Sequence, residues 1–157
     1  MSRQPSVSPA TLSPCTCFKV RSLARRVTQL YDDTLAPSGL RITQFSLLVQ
    51  ARRLGADHPP TVTELAAAMF TDRTTLTRNL RPMIDAGLIS LQTGADARSK
   101  AVVVTEAGER AYREARELWK HAQKQVRSIG GLETIEQLQS LIDGLLVNFD
   151  EHERGGA

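Results

Sequence analysis

Apolar side chains recur along this chain at two different periods, and the change of period divides it. Cys17, Val20, Ala24, Val27, Tyr31 and Thr34/Leu35 follow one another at spacings of three and four, which predicts an amphipathic helix from about Pro14. Pro37-Ser38-Gly39 ends it. A second helix is expected over Leu40–Leu54, with Phe45, Leu48, Val49 and Arg52 marking its turns. Gly55 suits its C-terminal cap and Pro59-Pro60 forbids continuation. Thr61-Val62-Thr63-Glu64 has the spacing of a capping box and opens a short helix, TELAAAMF. After a turn at Phe70-Thr71, DRTTLTRNLRPMIDAG predicts a helix closed by Gly87, with Leu76, Leu80, Met83 and Ile84 as its apolar stripe. Pro82 lies inside it and is expected to kink or tilt the last turn.

The period then drops to that of strands. Leu88–Gln92 and Ala101–Thr105 are short and β-prone, separated by the polar run TGADARSK, so a hairpin with a charged tip is expected. Thr105 can cap a long charged helix, roughly Glu106–Arg127, with Tyr112, Leu118, Trp119 and Ala122 on its apolar side. Gly130-Gly131 breaks it. A last helix carries Leu132, Ile135, Leu138, Leu141/Ile142, Leu145/Leu146 and Phe149 at helical spacing. The fold class implied is mainly α with a small β-hairpin wing. Its parts would be a flexible arm (1–13), a helical dimerisation region (14–36 and 106–152) and a winged helix-turn-helix (40–105).

Composition narrows the function classes. The chain has 157 residues, 41% hydrophobic and 24% charged, which suits a soluble globular domain. No apolar run approaches the ~18–20 residues that span a bilayer, and the polar start has no apolar core of a signal peptide. A cytoplasmic protein with no membrane partner is therefore expected. Two cysteines, Cys15 and Cys17, are too few for a four-ligand zinc site or a disulfide scaffold. His58, His121 and His152 stand apart, and no nucleophile elbow, P-loop or H-E-x-x-H occurs. The expectation is a non-enzyme with no cofactor and no metal.

Charge is uneven. Residues 1–60 carry +5, residues 61–105 +1 and residues 106–157 −3. A basic front and an acidic tail suggest that one end faces a polyanion.

In a helix-turn-helix the second helix enters the major groove with its first turns against base edges. Here those turns offer Arg73, Thr74, Thr75, Thr77 and Arg78, hydroxyls and guanidiniums suited to phosphates and guanine edges. The same arginines could simply solvate a helix face; the hairpin directly after the helix favours DNA. Arg98 and Lys100 near the hairpin tip can reach an adjacent minor groove.

The stretch Asp96-Ala97-Arg98-Ser99-Lys100-Ala101-Val102-Val103-Val104-Thr105-Glu106-Ala107-Gly108 resembles the D-x-R…V-x-L-T-x-x-G wing signature of MarR-type transcription regulators. MFTDRTTLTRNLRPMIDAGLI is similar to their recognition helix running into the first wing strand. The resemblance spans about residues 15–150. Val104 replaces the usual Leu, and Arg41 stands where a capping Thr or Ser is common. It implies a homodimeric repressor of a pseudo-palindromic operator in double-stranded DNA, with interlocked terminal helices. The apolar stripes at both ends need a cover in any case, although a three-helix cluster within one chain would also bury them. In the wing, the resemblance makes Arg98 the minor-groove residue, Asp96 its charge-assisted support and Lys100 a further phosphate contact.

Regulators of this type release DNA when a small aromatic or phenolic anion binds between the dimer helices and the reader module. The candidate lining is Arg21, Arg25, Tyr31, Phe45 and Trp119, an arginine for a carboxylate and aromatics for a ring. The alternative is redox sensing. Cys17-Phe18, with Tyr31 further along, is similar to the reactive cysteine and tyrosine of organic-hydroperoxide repressors, while their second tyrosine falls on Ile42. Cys17 serves equally as a packed interface thiol.

Overall fold

The structure, a computed structural model, describes residues 13–94 and 99–156. Its elements run α1 (Thr16–Leu35), a 3-10 turn (Ala36–Ser38), α2 (Ile42–Leu54), α3 (Val62–Ala68), α4 (Arg73–Asp85), β1 (Ile89–Thr93), β2 (Lys100–Val104), α5 (Glu106–Gly130) and α6 (Leu132–Gly155). This is the mainly helical winged helix-turn-helix that the pattern predicts. No described helix is long and apolar enough to cross a membrane.

The reader head is α2 to β2, and it packs on α5. Its core is Leu47, Leu48, Leu65, Leu76, Leu80, Met83, Ile89 and Val102, each nearly inaccessible, and Leu35 at the end of α1 is buried in the same cluster. Local chemistry fixes each boundary. The Thr61 hydroxyl accepts from the Glu64 N–H, and the Glu64 carboxylate accepts from the Thr61 N–H at 2.7 Å, the reciprocal box that starts α3. The Thr61 N–H and the Thr61 hydroxyl both donate to the Glu64 carboxylate, and these bonds, the backbone one foremost, hold that carboxyl below its ordinary range. After the end of α4, Gly87 takes a left-handed φ of 69°. Its N–H donates to the Ile84 carbonyl and the Leu88 N–H to Met83, a Schellman ending that only glycine enters without strain.

The hairpin is antiparallel, pairing Ile89 with Val104 through to Thr93 with Lys100. β2 also leans on the loop before α3: the Val102 N–H donates to the Pro60 carbonyl at 2.8 Å, and Thr61 bridges Ala101. Thr105 then closes the wing on the head. Its hydroxyl donates to the Gly87 carbonyl at 2.6 Å and accepts from the Gly108 N–H, starting α5. A Cβ on Gly108 would collide with the Leu88 carbonyl oxygen. The T-x-x-G spacing is thus a steric requirement of the α4–β1 turn meeting α5.

Several boundaries depart from expectation. α1 begins at Thr16, not Pro14, because Cys15 is its N-cap. α2 begins at Ile42, not Leu40, and lacks a capping hydroxyl at Arg41. The Asp32 carboxylate of α1 accepts from the Ile42 N–H at 2.8 Å instead, and the Gln44 side chain from the Arg41 N–H. α4 runs unbroken through Pro82 to Asp85, so the proline costs the Arg78 carbonyl its partner without ending the helix. α5 and α6 run past the expected Arg127 and residue 152 to Gly130 and Gly155. Of the expected arm, 1–13, only Ser13 lies within the described residues.

The ends of the chain look different from its middle. In α1 only Tyr31 and Leu35 are buried, and the expected stripe is exposed at Cys17, Val20 and Ala24. The 24 residues of α6 include none that is buried.

Candidate nucleic-acid interface and adjoining cleft

α4 divides cleanly into two faces. Leu76, Leu80 and Met83 are buried against the head, while Arg73, Thr74, Thr77 and Arg78 are exposed. Asp72 caps the helix: one carboxylate oxygen accepts from the Thr75 N–H at 2.8 Å, the other from the Thr75 hydroxyl at 2.6 Å. Those bonds, the side-chain one foremost, hold the Asp72 carboxyl below its ordinary range. Thr75 is half-buried and its hydroxyl proton is already engaged, so its contribution is to the cap. The Thr77 hydroxyl donates to the Arg73 carbonyl at 2.8 Å, which leaves its oxygen lone pairs outward. Neither Arg73 nor Arg78 has an ion-pair partner among the described residues. They are two guanidiniums facing solvent from the first turns of a helix whose N-terminus is electropositive. Asn79, exposed beside Arg78, belongs to the same surface and carries an amide suited to a base edge.

The turn before α4 is under strain. Phe70 has φ 48°, the only described non-glycine residue with positive φ, and is 64% exposed. An aromatic side chain in this region costs backbone energy. In the wing, Lys100 is the exposed first residue of β2. Asp96 and Arg98 lie outside the described residues.

A cleft of about 260 Å³ opens between α2 and α5, lined by Phe45, Ser46, Val49, Gln50, Tyr112, Arg116 and Trp119. The Phe45 and Tyr112 rings stack with centroids 5.7 Å apart and planes 6° off parallel, and Trp119 is 6.0 Å from Phe45. Of the five residues expected to line a ligand site, the structure brings Phe45 and Trp119 together and leaves out the other three. Arg25 bonds Ser22 on its own helix and Arg21 is exposed on α1. Tyr31 is buried, and burial pushes its hydroxyl pKa up, partly offset by the Arg127 charge. The cation at the cleft is Arg116, and the third ring is Tyr112; sequence reading placed Tyr112 on the apolar side of its helix but did not connect it with Phe45. The steps of four from Tyr112 to Arg116 and three from Arg116 to Trp119 put all three on one helix face, which was the available signal.

Cys15 and Cys17 are exposed free thiols at the start of α1. Among the described residues no group of three His, Cys, Asp or Glu side chains could hold a metal ion.

A helix-turn-helix with a hairpin wing, carried on long terminal helices, defines a winged helix-turn-helix protein. The comparisons narrow this. The chain is 37% identical to the M. tuberculosis transcriptional regulator MosR, solved in complex with DNA; the match covers 85% of this chain and 97% of that one, with a TM-score of 0.72. A MarR mutant from E. coli, complexed with operator DNA, shares the fold at 19% identity and a TM-score of 0.74, over 83% of this chain and 92% of that one. The HTH-type transcriptional regulator YwoH of Bacillus subtilis is 29% identical over 96 residues, 61% of this chain and 68% of its own length. No family model matches the chain. The chain belongs to the MarR family of transcriptional regulators.

Proposed function

We propose that this chain is a dimeric, DNA-binding repressor of the cytoplasm, acting without catalysis, that reads a pseudo-palindromic operator through α4 and the wing. One observation carries the reading: the exposed Arg73–Arg78 face of α4 stands beside a hairpin locked to it by Thr105. Dimerisation is supported by α6, which buries no residue while exposing Leu141, Leu145 and Phe149. The exposed start of α1 is basic, with Lys19, Arg21, Arg25 and Arg26, while the end of α6 is acidic, with Asp150, Glu151 and Glu153. Two copies arranged with one start against the other end pair these charges. Half-site centres then fall about one helical turn, ~10 bp, apart.

Selection of duplexes from a random pool, followed by titration at two salt concentrations, tests the reading. Steep loss of binding with salt is expected, and Arg78→Ala should cost roughly 1–3 kcal/mol and relax sequence preference. Salt-independent or absent binding would sink it.

The effector we assign is a small aromatic or phenolic anion, its ring against Phe45 and Trp119 and its charge on Arg116. Quenching of Trp119 fluorescence by benzoate, abolished in Arg116→Ala, is the expected result. A second reading, peroxide sensing at Cys17, is favoured by the exposure of that thiol at the second position of α1. Release of DNA by organic hydroperoxide in wild type but not in Cys17→Ser would select it.

A further inference from the structure

Among the ion pairs of the described residues, Arg81–Asp85, Arg110–Glu106, Lys120–Glu117 and Arg154–Asp150 each lie within one helix. Arg52–Glu109 differs in kind. Near the end of α2, Arg52 donates its Nε–H to both Glu109 oxygens, at 2.8 and 2.9 Å, across 57 positions of sequence. Its guanidinium carbon also stands 3.9 Å from the centroid of the Tyr112 ring. Glu109 and Tyr112 are three residues apart on α5, so one planar group is held from two points of one helix face.

The placement matters. Glu109 directly follows Gly108, where α5 meets the α4–β1 turn, and Arg52 and Glu109 face Val102, Val103 and Val104 of β2 across a small cleft. A two-stranded ribbon is marginal without support at its base. Thr105 supports one side of that base and this pair the other.

We infer that Arg52 is a positioning residue for the wing: pinned by Glu109 and Tyr112, it sets the angle at which the hairpin leaves α5 and so holds Lys100 against a DNA phosphate. This rests on the DNA-binding reading above. Both side chains are about one-third exposed, at 35% and 33%, so the pair adds little to folding stability. Its content is directional, because a planar fork seated on a ring fixes an angle that a flexible ammonium does not.

The experiment titrates full-length protein against a duplex of about 30 bp, enriched by wild type from a random pool and long enough for two half-sites, over a salt series. Glu109→Gln is expected to bind roughly tenfold more weakly, with a salt slope flatter by about one unit for the lost phosphate contact. Its melting temperature should move by no more than about 2–4 °C. Arg52→Lys, which keeps the charge and loses the fork, should do the same, and it carries the comparison if Glu109→Gln folds poorly. Lys100→Ala should reproduce the effect, and adding it to Glu109→Gln should cause little further loss, because both remove one contact. Wild-type affinity and slope in Glu109→Gln and Arg52→Lys, or losses that add in full, would overturn the inference alone. Wild type that binds no duplex would overturn the DNA-binding reading and this inference together.

Discussion

The reader head and α6 both carry apolar residues at regular spacing, yet they use them oppositely. Between α2 and β2, Leu47, Leu48, Leu65, Leu76, Leu80 and Met83 are all nearly inaccessible. In α6, Leu141, Ile142, Leu145, Val147 and Phe149 are all exposed. An amphipathic pattern therefore states that a face must be covered but not by which chain. The head answers within itself, through caps and a glycine contact, whereas the ends leave the question open to a second copy.

The comparison breaks most sharply at Gly108. Gly108→Ala drives a methyl into the Leu88 carbonyl, and backbone cannot yield as a side chain does. A loss of about 3 kcal/mol or more is expected in urea unfolding, the upper range of overpacking. A variant as stable as wild type would mean that the head tolerates what its geometry forbids. At the other end, Leu145→Asp should weaken self-association by about 2 kcal/mol or more at the centre of an interface. Circular dichroism of the head should survive, because α6 buries nothing in its own chain. Sedimentation at micromolar concentration reads the shift; an unaltered oligomer would place the interface elsewhere. Asp32→Ala removes the carboxylate that meets the Ile42 N–H and should cost about 1 kcal/mol, a typical cap loss.

The smallest effect sharpens the same contrast through pH. The Glu64 and Asp72 carboxyls, both in the head, are held below their ordinary values by hydrogen bonds from Thr61 and Thr75. A depressed folded pKa gives stability that is present above the unfolded value, about 4, and lost as pH falls through the folded value. Thermal melts should therefore fall off below about pH 4, and Asp72→Asn, which still caps, should flatten that decline slightly. An unchanged acid limb would show that the cap charge does not contribute.

How much of this was legible in advance depended on distance along the chain. The Thr61–Glu64 box, Gly87 closing α4 and Thr105 as an N-cap each involve partners within a few residues, and all are where periodicity and turn chemistry put them. The cap of α2 was not legible: Arg41 looked like a defect because its substitute, Asp32, lies on the preceding helix. The cleft failed similarly. Arg21, Arg25 and Tyr31 share α1 with an obvious charge run, but which side chains meet Phe45 depends on how α2 crosses α5. That crossing brings Tyr112 and Arg116 to it. A window of sequence contains propensity and caps; it does not contain a crossing angle.

The bare face of α6 has a last consequence, on a scale larger than one molecule. Any helix whose apolar side is covered only by another copy makes the active species depend on the square of concentration. In the dimer proposed above, halving the concentration of the chain lowers the paired form by more than half. Under that proposal, small changes in synthesis or degradation of the chain reach the DNA amplified.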